Sequence, residues 1–339
     1  MELYGGIDLH SNNNVIAIID DKDHVVFQKR LQNDISIVLK ALETYRDVLV
    51  GLAVESTFNW YWLVDGLMDN DYKIHLANPA AMKQYSGLKY SDDKASSRWL
   101  AHMLRLGILP EGYIYPKQNR SIRDLLRKRS QLVRQKTTNL LSANNIFARN
   151  TGSSLKVADI KKLSDKDINA MFTDEYQALA MNSNVSMVRC LEREIKEIER
   201  VVKYKIKNTP EYNLLLTVDG IGEILAMTIL LETGDIKRFP KVGNYSSYCR
   251  TVSSEHRSNK KKKGQGNTKN GNKYLAWAFI EAATFAIRYN DKARRFYQRK
   301  SAKTKPVVAK KALANKLARA CYYIMRDRVP FDNERLFGS

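Results

Sequence analysis

The chain has 339 residues, 44% of them hydrophobic, enough to bury the cores of two or three ordinary domains. Its formal net charge of +21 and pI near 9.7 oppose compaction, and they point to a polyanionic partner: nucleic acid first, an anionic membrane surface second. No apolar run approaches the roughly 18 residues that span a bilayer, MELYGGIDLH lacks signal-peptide form, and three distant cysteines exclude a disulfide framework or an ordinary cysteine zinc site.

These features predict a cytoplasmic, nucleoid-associated protein with no membrane partner. Cys190, Cys249 and Cys321 have apolar or aromatic neighbours and are each expected to be buried small hydrophobes. The five histidines form no HxxxH or HxH pair.

In chain order, Leu3–Leu9 and Asn14–Ile19 are short apolar runs. Asp20-Asp21-Lys22-Asp23 reads as a hairpin turn into a third strand, His24–Lys29. Ser36–Tyr45 has helical spacing, and Val48–Val54 is a continuous apolar run suited to a buried central strand. Phe58–Met68 is helical, Tyr72–Ala77 is a strand, and Trp99–Leu106 is a helix. This β-β-β-α-β-α-β-α order predicts an RNase H-like α/β domain over 1–115.

A basic helical connector follows over 116–209. Ile122, Leu125, Leu126, Leu132, Val133, Leu140, Leu141 and Phe147 recur at helical spacing through a segment rich in Arg123, Arg127, Lys128 and Arg129. Val188, Leu191, Ile195, Ile198 and Val202 then repeat in 3-4 steps, a heptad seam with charged flanks. That seam suits a hairpin within the chain or a coiled coil between chains equally well.

Asn208-Thr209-Pro210 opens a mainly helical domain over 210–339. Leu214–Thr217, Asp219-Gly220-Ile221-Gly222 and Ile224–Glu232 resemble a helix-hairpin-helix element, whose turn amides would face a phosphate. An ordinary tight turn between core helices is the alternative. The stretch Arg257–Lys273 has seven Lys/Arg and no acid, among them Arg257, Lys260, Lys261, Lys262, Lys263, Lys269 and Lys273. With Gly264, Gly266 and Gly271 interleaved, it lets backbone and ammonium groups approach a phosphate. Tyr274–Ile287 is an apolar helix, and Lys292–Arg319 is again basic without an acid.

Two constellations carry chemistry. Two-metal phosphoryl transfer needs carboxylates converging from different elements on ions about 4 Å apart. Asp8 lies inside the first apolar strand, Glu55 ends the buried strand, and Asp92 and Asp93 precede a helix. In an RNase H-like sheet the strands of Asp8 and Glu55 are neighbours. A buried strand carboxylate without a cation is costly, which favours a metal role. The second constellation is a serine among cations, which would stabilise a phosphorane and acidify the hydroxyl. Ser246, Ser247, Ser253, Ser254 and Ser258 are all candidates by composition.

Trp99–Tyr115 (WLAHMLRLGILPEGYIY), Arg123–Leu132 (RDLLRKRSQL) and Gly266–Ala278 (GNTKNGNKYLAWA) resemble the DEDD-type insertion-sequence transposases related to Piv DNA invertases (the one-ten insertion-sequence family, eleven-eleven subgroup). The resemblance spans nearly the whole chain. It implies a RuvC-like domain joined through helices to a transposase domain, and a recombinase guided by a structured noncoding bridge RNA that pairs with target and donor double-stranded DNA. It further implies a covalent 5′-phosphoserine link beside a Mg²⁺-holding acidic site, across a dimer interface in a tetrameric complex.

Carried over by position, Asp8 and Glu55 match the first Asp and the Glu. Counting back from Leu100-Ala101 places the third acid at Asp93 and the fourth at Ser96, so one acid is replaced and Asp92 is the candidate stand-in. Thr268-Lys269-Asn270-Gly271 frames the nucleophile at Ser258, with Ser253 in place of the pattern's proline and Asn259 in place of its glycine. Two other readings stay open: a RuvC-like nuclease that cuts with metal-activated water, and a decayed transposase that only binds nucleic acid.

Overall fold

A computed structural model describes residues 1–82, 92–252, 255–259, 261–265 and 270–338. The chain divides into two compact units, one built on Met1–Lys117 and the other on Gln118–Gly264 with Gly271–Ser339.

In the first unit the apolar runs form β1 (Leu3–Leu9), β2 (Asn13–Ile19), β3 (Val25–Gln32), β4 (Leu49–Glu55) and β5 (Ile74–Ala77). The helices are α1 (Ile35–Leu42), α2 (Tyr61–Met68), α3 (Pro79–Met82) and α4 (Asp93–Arg105). The sheet order is β3-β2-β1-β4-β5. β1–β2 and β2–β3 are antiparallel, while β1–β4 and β4–β5 are parallel. Asp23, at φ 67, closes the hairpin expected at Asp20–Asp23. There, Asp20 N bonds His24 O at 3.0 Å.

The two-residue alternation of a strand decides what each face packs against. Ile7, Leu9, Ile16, Ile18, Leu52 and Val54 join Val38, Leu42, Leu63 and Leu67 of α1 and α2 in one core. The opposite face is lined with small residues. Ala53 and Ala77 pack on Leu100 and Met103 of α4. A Cβ at Gly6 would lie 2.1 Å from Ser97 O and 2.6 Å from Ala101 N. The helix therefore lies directly on the backbone of β1, with its N-terminus over the end of the strand.

In the second unit the basic segment forms one long helix, α5 (Lys117–Thr151). α6 (Val157–Ile160) and α7 (Asp165–Met171) lead into α8 (Glu175–Ile206). The heptad seam packs within the chain. Val188 joins Leu140 and Ala143 of α5, Leu191 and Ile195 meet Leu132, and Val202 enters the C-terminal core. Cys249 and Cys321 are buried as expected, but Cys190 is exposed, because it lies on the face of α8 turned away from that seam.

The C-terminal core gathers α9 (Pro210–Leu215), α10 (Glu223–Thr233), α11 (Val242–Tyr248), α12 (Lys273–Tyr289), α13 (Asp291–Ser301) and α14 (Pro306–Asp327), with α15 (Asn333–Phe337) packed at its edge. Between α11 and α12 the basic stretch forms a two-stranded hairpin, β6 (Glu255–Ser258) and β7 (Lys261–Gln265). Composition gave no sign of it, since lysine is a poor strand former and neither strand alternates apolar with polar residues.

Candidate metal centre and nucleic-acid interface

Asp8 faces α4 from β1 and is only 5% exposed. One residue before it, Ile7 pairs with Val54 of β4. Glu55 therefore stands beside Asp8 on the neighbouring strand and the same face. Two residues on from Asp8, His10 lies in the loop just past the end of β1, with its ring beside Asp8.

The His10 loop is anchored, as its carbonyl accepts from Asn33 Nδ2 at 3.0 Å and Asn59 Nδ2 at 2.9 Å. Its Nε2 lies 3.7 Å from Asp8 Oδ2 and 3.4 Å from Asp93 Oδ1. These are ion-pair distances without hydrogen-bond geometry, and His10 Nε2 is a buried atom with no hydrogen-bond partner. Asp93 comes from the first turn of α4. Its Oδ2 receives Arg30 Nη2 of β3 at 2.6 Å, and Arg30 Nη1 also donates to Asn13 Oδ1 at 3.2 Å.

Asp8, His10 and Asp93 each offer a ligand atom, and these atoms all lie within 4.8 Å of one another. Two hard carboxylates and a borderline imidazole nitrogen make a mixed oxygen/nitrogen donor set suited to a divalent cation. The orphaned Nε2 between the two carboxylates is the feature such an ion would satisfy. Without a cation, Arg30 supplies the positive charge that Asp93 takes.

The remaining acids expected at this site divide. Glu55 is aligned in register with Asp8, but its carboxylate is not among the three mutually close groups. Asp92 caps α4, accepting from Ala95 N at 2.5 Å. Ser96 is buried and its hydroxyl donates to Asp92 O at 3.0 Å. No pairing with another histidine marks His10 in the sequence. The available signal was the Asp8-Leu9-His10 spacing at the end of an apolar strand.

The basic residues also fall into two groups. Arg123 is buried, with Asp124 3.5 Å away. Arg127 makes a two-pronged pair with Glu232, 2.6 and 2.7 Å, on a carboxylate that is 3% exposed. Burial works against the Arg127 charge, but the Glu232 hydrogen bonds outweigh it and hold the guanidinium pKa above its usual value. Asn272, which caps α12, donates to the same Glu232 at 2.7 Å. Arg129 pairs with Glu199 at 2.7 Å. These three arginines are thus committed inside the unit.

Lys128, Lys261, Lys263 and Lys273 are exposed, and Lys273 lies over the Tyr274 ring at 5.3 Å. The backbones of Arg257, Ser258 and Lys262 belong to the β6–β7 hairpin, with Asn259 at φ 49 in its turn. Ser253, Ser254, Lys260, Gly266, Thr268 and Lys269 lie outside the described residues. Ser246 is 1% exposed, which removes it from reach of a DNA strand. A further basic concavity of about 430 Å³ is lined by Lys292, Arg295, Gln298 and Arg299.

The Asp219–Gly222 turn between α9 and α10 is seated on α12. Gly220, at φ 96, has room for no Cβ, which would meet Ala282 O at 2.5 Å. Asp219 accepts from Asn290 at 2.8 Å.

Comparison with known families matches residues 5–146, which hold the acidic group, to a DEDD transposase model of the IS110 type. Residues 212–298, which hold the basic hairpin, match a model described as Transposase IS116/IS110/IS902 family. The chain belongs with the IS110-type insertion-sequence transposases. A protein of Pseudomonas aeruginosa named "Probable family 20 transposase" is 21% identical over 334 residues, 94% of this chain and 96% of that protein. As a transposase of this type it cleaves and recombines DNA, and the DEDD family implies use of a divalent metal. No helix among the described residues is long and apolar enough to cross a membrane.

Proposed function

We propose that this transposase exchanges DNA strands under the direction of a structured noncoding RNA, through a covalent link between Ser258 and DNA. The parts would be an RNase H-like domain over 1–115, a helical connector over 116–209 and a transposase domain over 210–339. The observation that carries the metal half of this reading is the cluster of Asp8, His10 and Asp93, with its unpartnered imidazole nitrogen. The sheet order with two parallel and two antiparallel pairings supports the RNase H-like assignment. Asp8 and Asp93 would hold Mg²⁺ through their carboxylates, with His10 and Glu55 beside them. Once bound, the ion supplies Lewis-acid polarisation of a phosphate oxygen.

In the proposed chemistry Ser258 Oγ attacks the scissile phosphorus and forms a phosphoserine on the 5′ side. The P–O3′ bond breaks, and the departing 3′ oxygen takes up a proton as the serine hydroxyl loses one. Attack by a 3′-hydroxyl from the exchanged strand reverses the step, restores the phosphodiester and returns the serine. The lysines of the hairpin would hold the phosphates and lower the cost of the anionic transition state.

The test supplies RNA and DNA to the wild type, Ser258→Ala and Ser254→Ala, and traps protein–DNA adducts on a denaturing gel. The proposal expects an adduct in the wild type and Ser254→Ala and none in Ser258→Ala. Loss in Ser254→Ala alone would move the nucleophile. Free 5′-phosphate ends without any adduct would replace this chemistry with hydrolysis by water, as in a RuvC-like nuclease.

A further inference from the structure

The donor atoms that meet around Asp8 are not all oxygen. Ser96, where the resemblance to DEDD transposases places a fourth acid, is buried and donates its hydroxyl to Asp92 O at 3.0 Å. Glu55 is not among the mutually close groups. The atom that does stand with Asp8 and Asp93 is a nitrogen, His10 Nε2.

The loop that carries His10 is fixed through its backbone. The His10 N–H donates to Asn13 O at 2.9 Å, and its carbonyl accepts from Asn33 and Asn59. The place of the ring therefore does not depend on what Nε2 binds. Yet Nε2 is buried without a hydrogen bond, a state that costs about 1–3 kcal/mol unless something else satisfies the lone pair. A protonated imidazole bridging the two carboxylates would donate a hydrogen bond to one of them, and neither contact has that geometry. Separations of 3.7 Å to Asp8 Oδ2 and 3.4 Å to Asp93 Oδ1 are instead close to the spacing of two ligands on one ion, about 3.0–3.5 Å when each bond is about 2.1 Å.

Charge then bears on which ion fits. Asp93 gives its Oδ2 to Arg30 at 2.6 Å and turns Oδ1 toward His10. Of the two carboxylates in reach, Arg30 thus offsets one. Mg²⁺ is held by charge and oxygen and keeps its waters, so it gains little from this set. A first-row transition ion gains a bond to imidazole that Mg²⁺ does not.

Resting on the metal reading above, we infer that His10 is a nitrogen ligand that makes this centre select a first-row transition ion, with Mn²⁺ as the probe, over Mg²⁺. With Mg²⁺ the imidazole stays beside the ion; with Mn²⁺ its Nε2 joins Asp8 Oδ2 and Asp93 Oδ1 as a ligand.

The test uses the full-length protein, nuclease-treated, stripped with chelator and loaded with less than one equivalent of Mn²⁺. Pulsed electron paramagnetic resonance should show ¹⁴N coupling to the ion in the wild type and none in His10→Gln or His10→Asp. Competition titrations should find Mn²⁺ bound at least about 30-fold more tightly than Mg²⁺. His10→Gln should weaken Mn²⁺ by at least about 10-fold and Mg²⁺ by less than about threefold. His10→Asp, an all-oxygen set, should bring the two ions within about 10-fold of each other. Circular dichroism should be unchanged in both, since the loop is anchored by its backbone. Asp8→Asn should lose both ions. If Asp8→Asn loses both but the wild type shows no ¹⁴N coupling, or the His10 variants keep the wild-type ion preference, the centre stands and His10 is not its ligand. If Asp8→Asn binds Mn²⁺ as the wild type does, the centre itself is misplaced and this inference falls with it.

Discussion

Replacing Gly6 with alanine should damage the fold and the proposed metal centre together. The added Cβ would sit 2.1 Å from Ser97 O and 2.6 Å from Ala101 N, whereas ordinary contact begins at 3.4 Å. Both obstacles are backbone atoms of α4, so no side chain can swing away, and the helix must retreat from β1 by about 1 Å. Overpacking of this kind costs about 2–3 kcal/mol, which for a unit of this size lowers the melting temperature by on the order of 10 °C. Asp93 rides on the first turn of the same helix, while Asp8 and His10 stay with β1 and the loop that follows it. A displacement of about 1 Å is several times the tolerance of a metal–oxygen bond, so divalent-ion affinity should fall by about 10- to 100-fold. Differential scanning calorimetry and a Mn²⁺ titration followed by electron paramagnetic resonance read the two effects. Gly5→Ala is the control, because its Cβ meets the flexible end of Leu52 at 2.3 Å on the other sheet face. A Gly6→Ala protein with wild-type melting temperature and Mn²⁺ affinity would refute the claim that helix seating sets the centre.

Glu232→Ala should remove the two-pronged partner of Arg127 and the shorter of the Asn272 amide's two acceptors, leaving it Tyr248 Oη at 3.3 Å, costing about 3 kcal/mol and lowering the melting temperature by about 6–12 °C. Arg127→Met combined with Glu232→Leu should recover most of the loss. Chemical denaturation of the three variants checks this, and a double variant as unstable as Glu232→Ala would contradict it. Burial pushes the Asp23 carboxyl up, but hydrogen bonds from His102 and Arg105 outweigh it and hold its pKa below the usual carboxylate value. A depressed pKa stabilises the fold at neutral pH, and the contribution disappears as pH falls through the folded-state value. Asp23→Asn should therefore melt below the wild type at about pH 6, with the gap closing as pH falls through the depressed folded-state value; a gap that widens in acid would be the wrong sign.

The strand and helix order of the first unit was legible because its apolar runs are short, uninterrupted and separated by turn residues. The match of Leu3–Leu9 and Asn13–Ile19 to real strands reflects that. Asp8 was legible for the same reason: a charge inside an apolar strand is conspicuous. His10 was not, because its place beside Asp8 depends on the loop that follows β1 and on the helix that brings Asp93. The arginines of α5 looked like a phosphate-binding face by charge density. Yet Arg127 and Arg129 have acidic partners, Glu232 and Glu199, far away in sequence, and no local pattern reveals such pairings. The seam on α8 was visible as a periodicity, but its partner was settled only by the packing of Leu132 and Leu140 against it.

The central claim is that the cluster around Asp8 drives DNA strand exchange. The most direct test is strand exchange by Asp8→Asn, with nucleic-acid affinity measured on the same preparation. Removing this ligand should lower exchange by at least about 1000-fold while affinity stays within about twofold, because Asp8 would hold a cation and touches no phosphate. Exchange at wild-type rates by a properly folded Asp8→Asn protein would contradict the account.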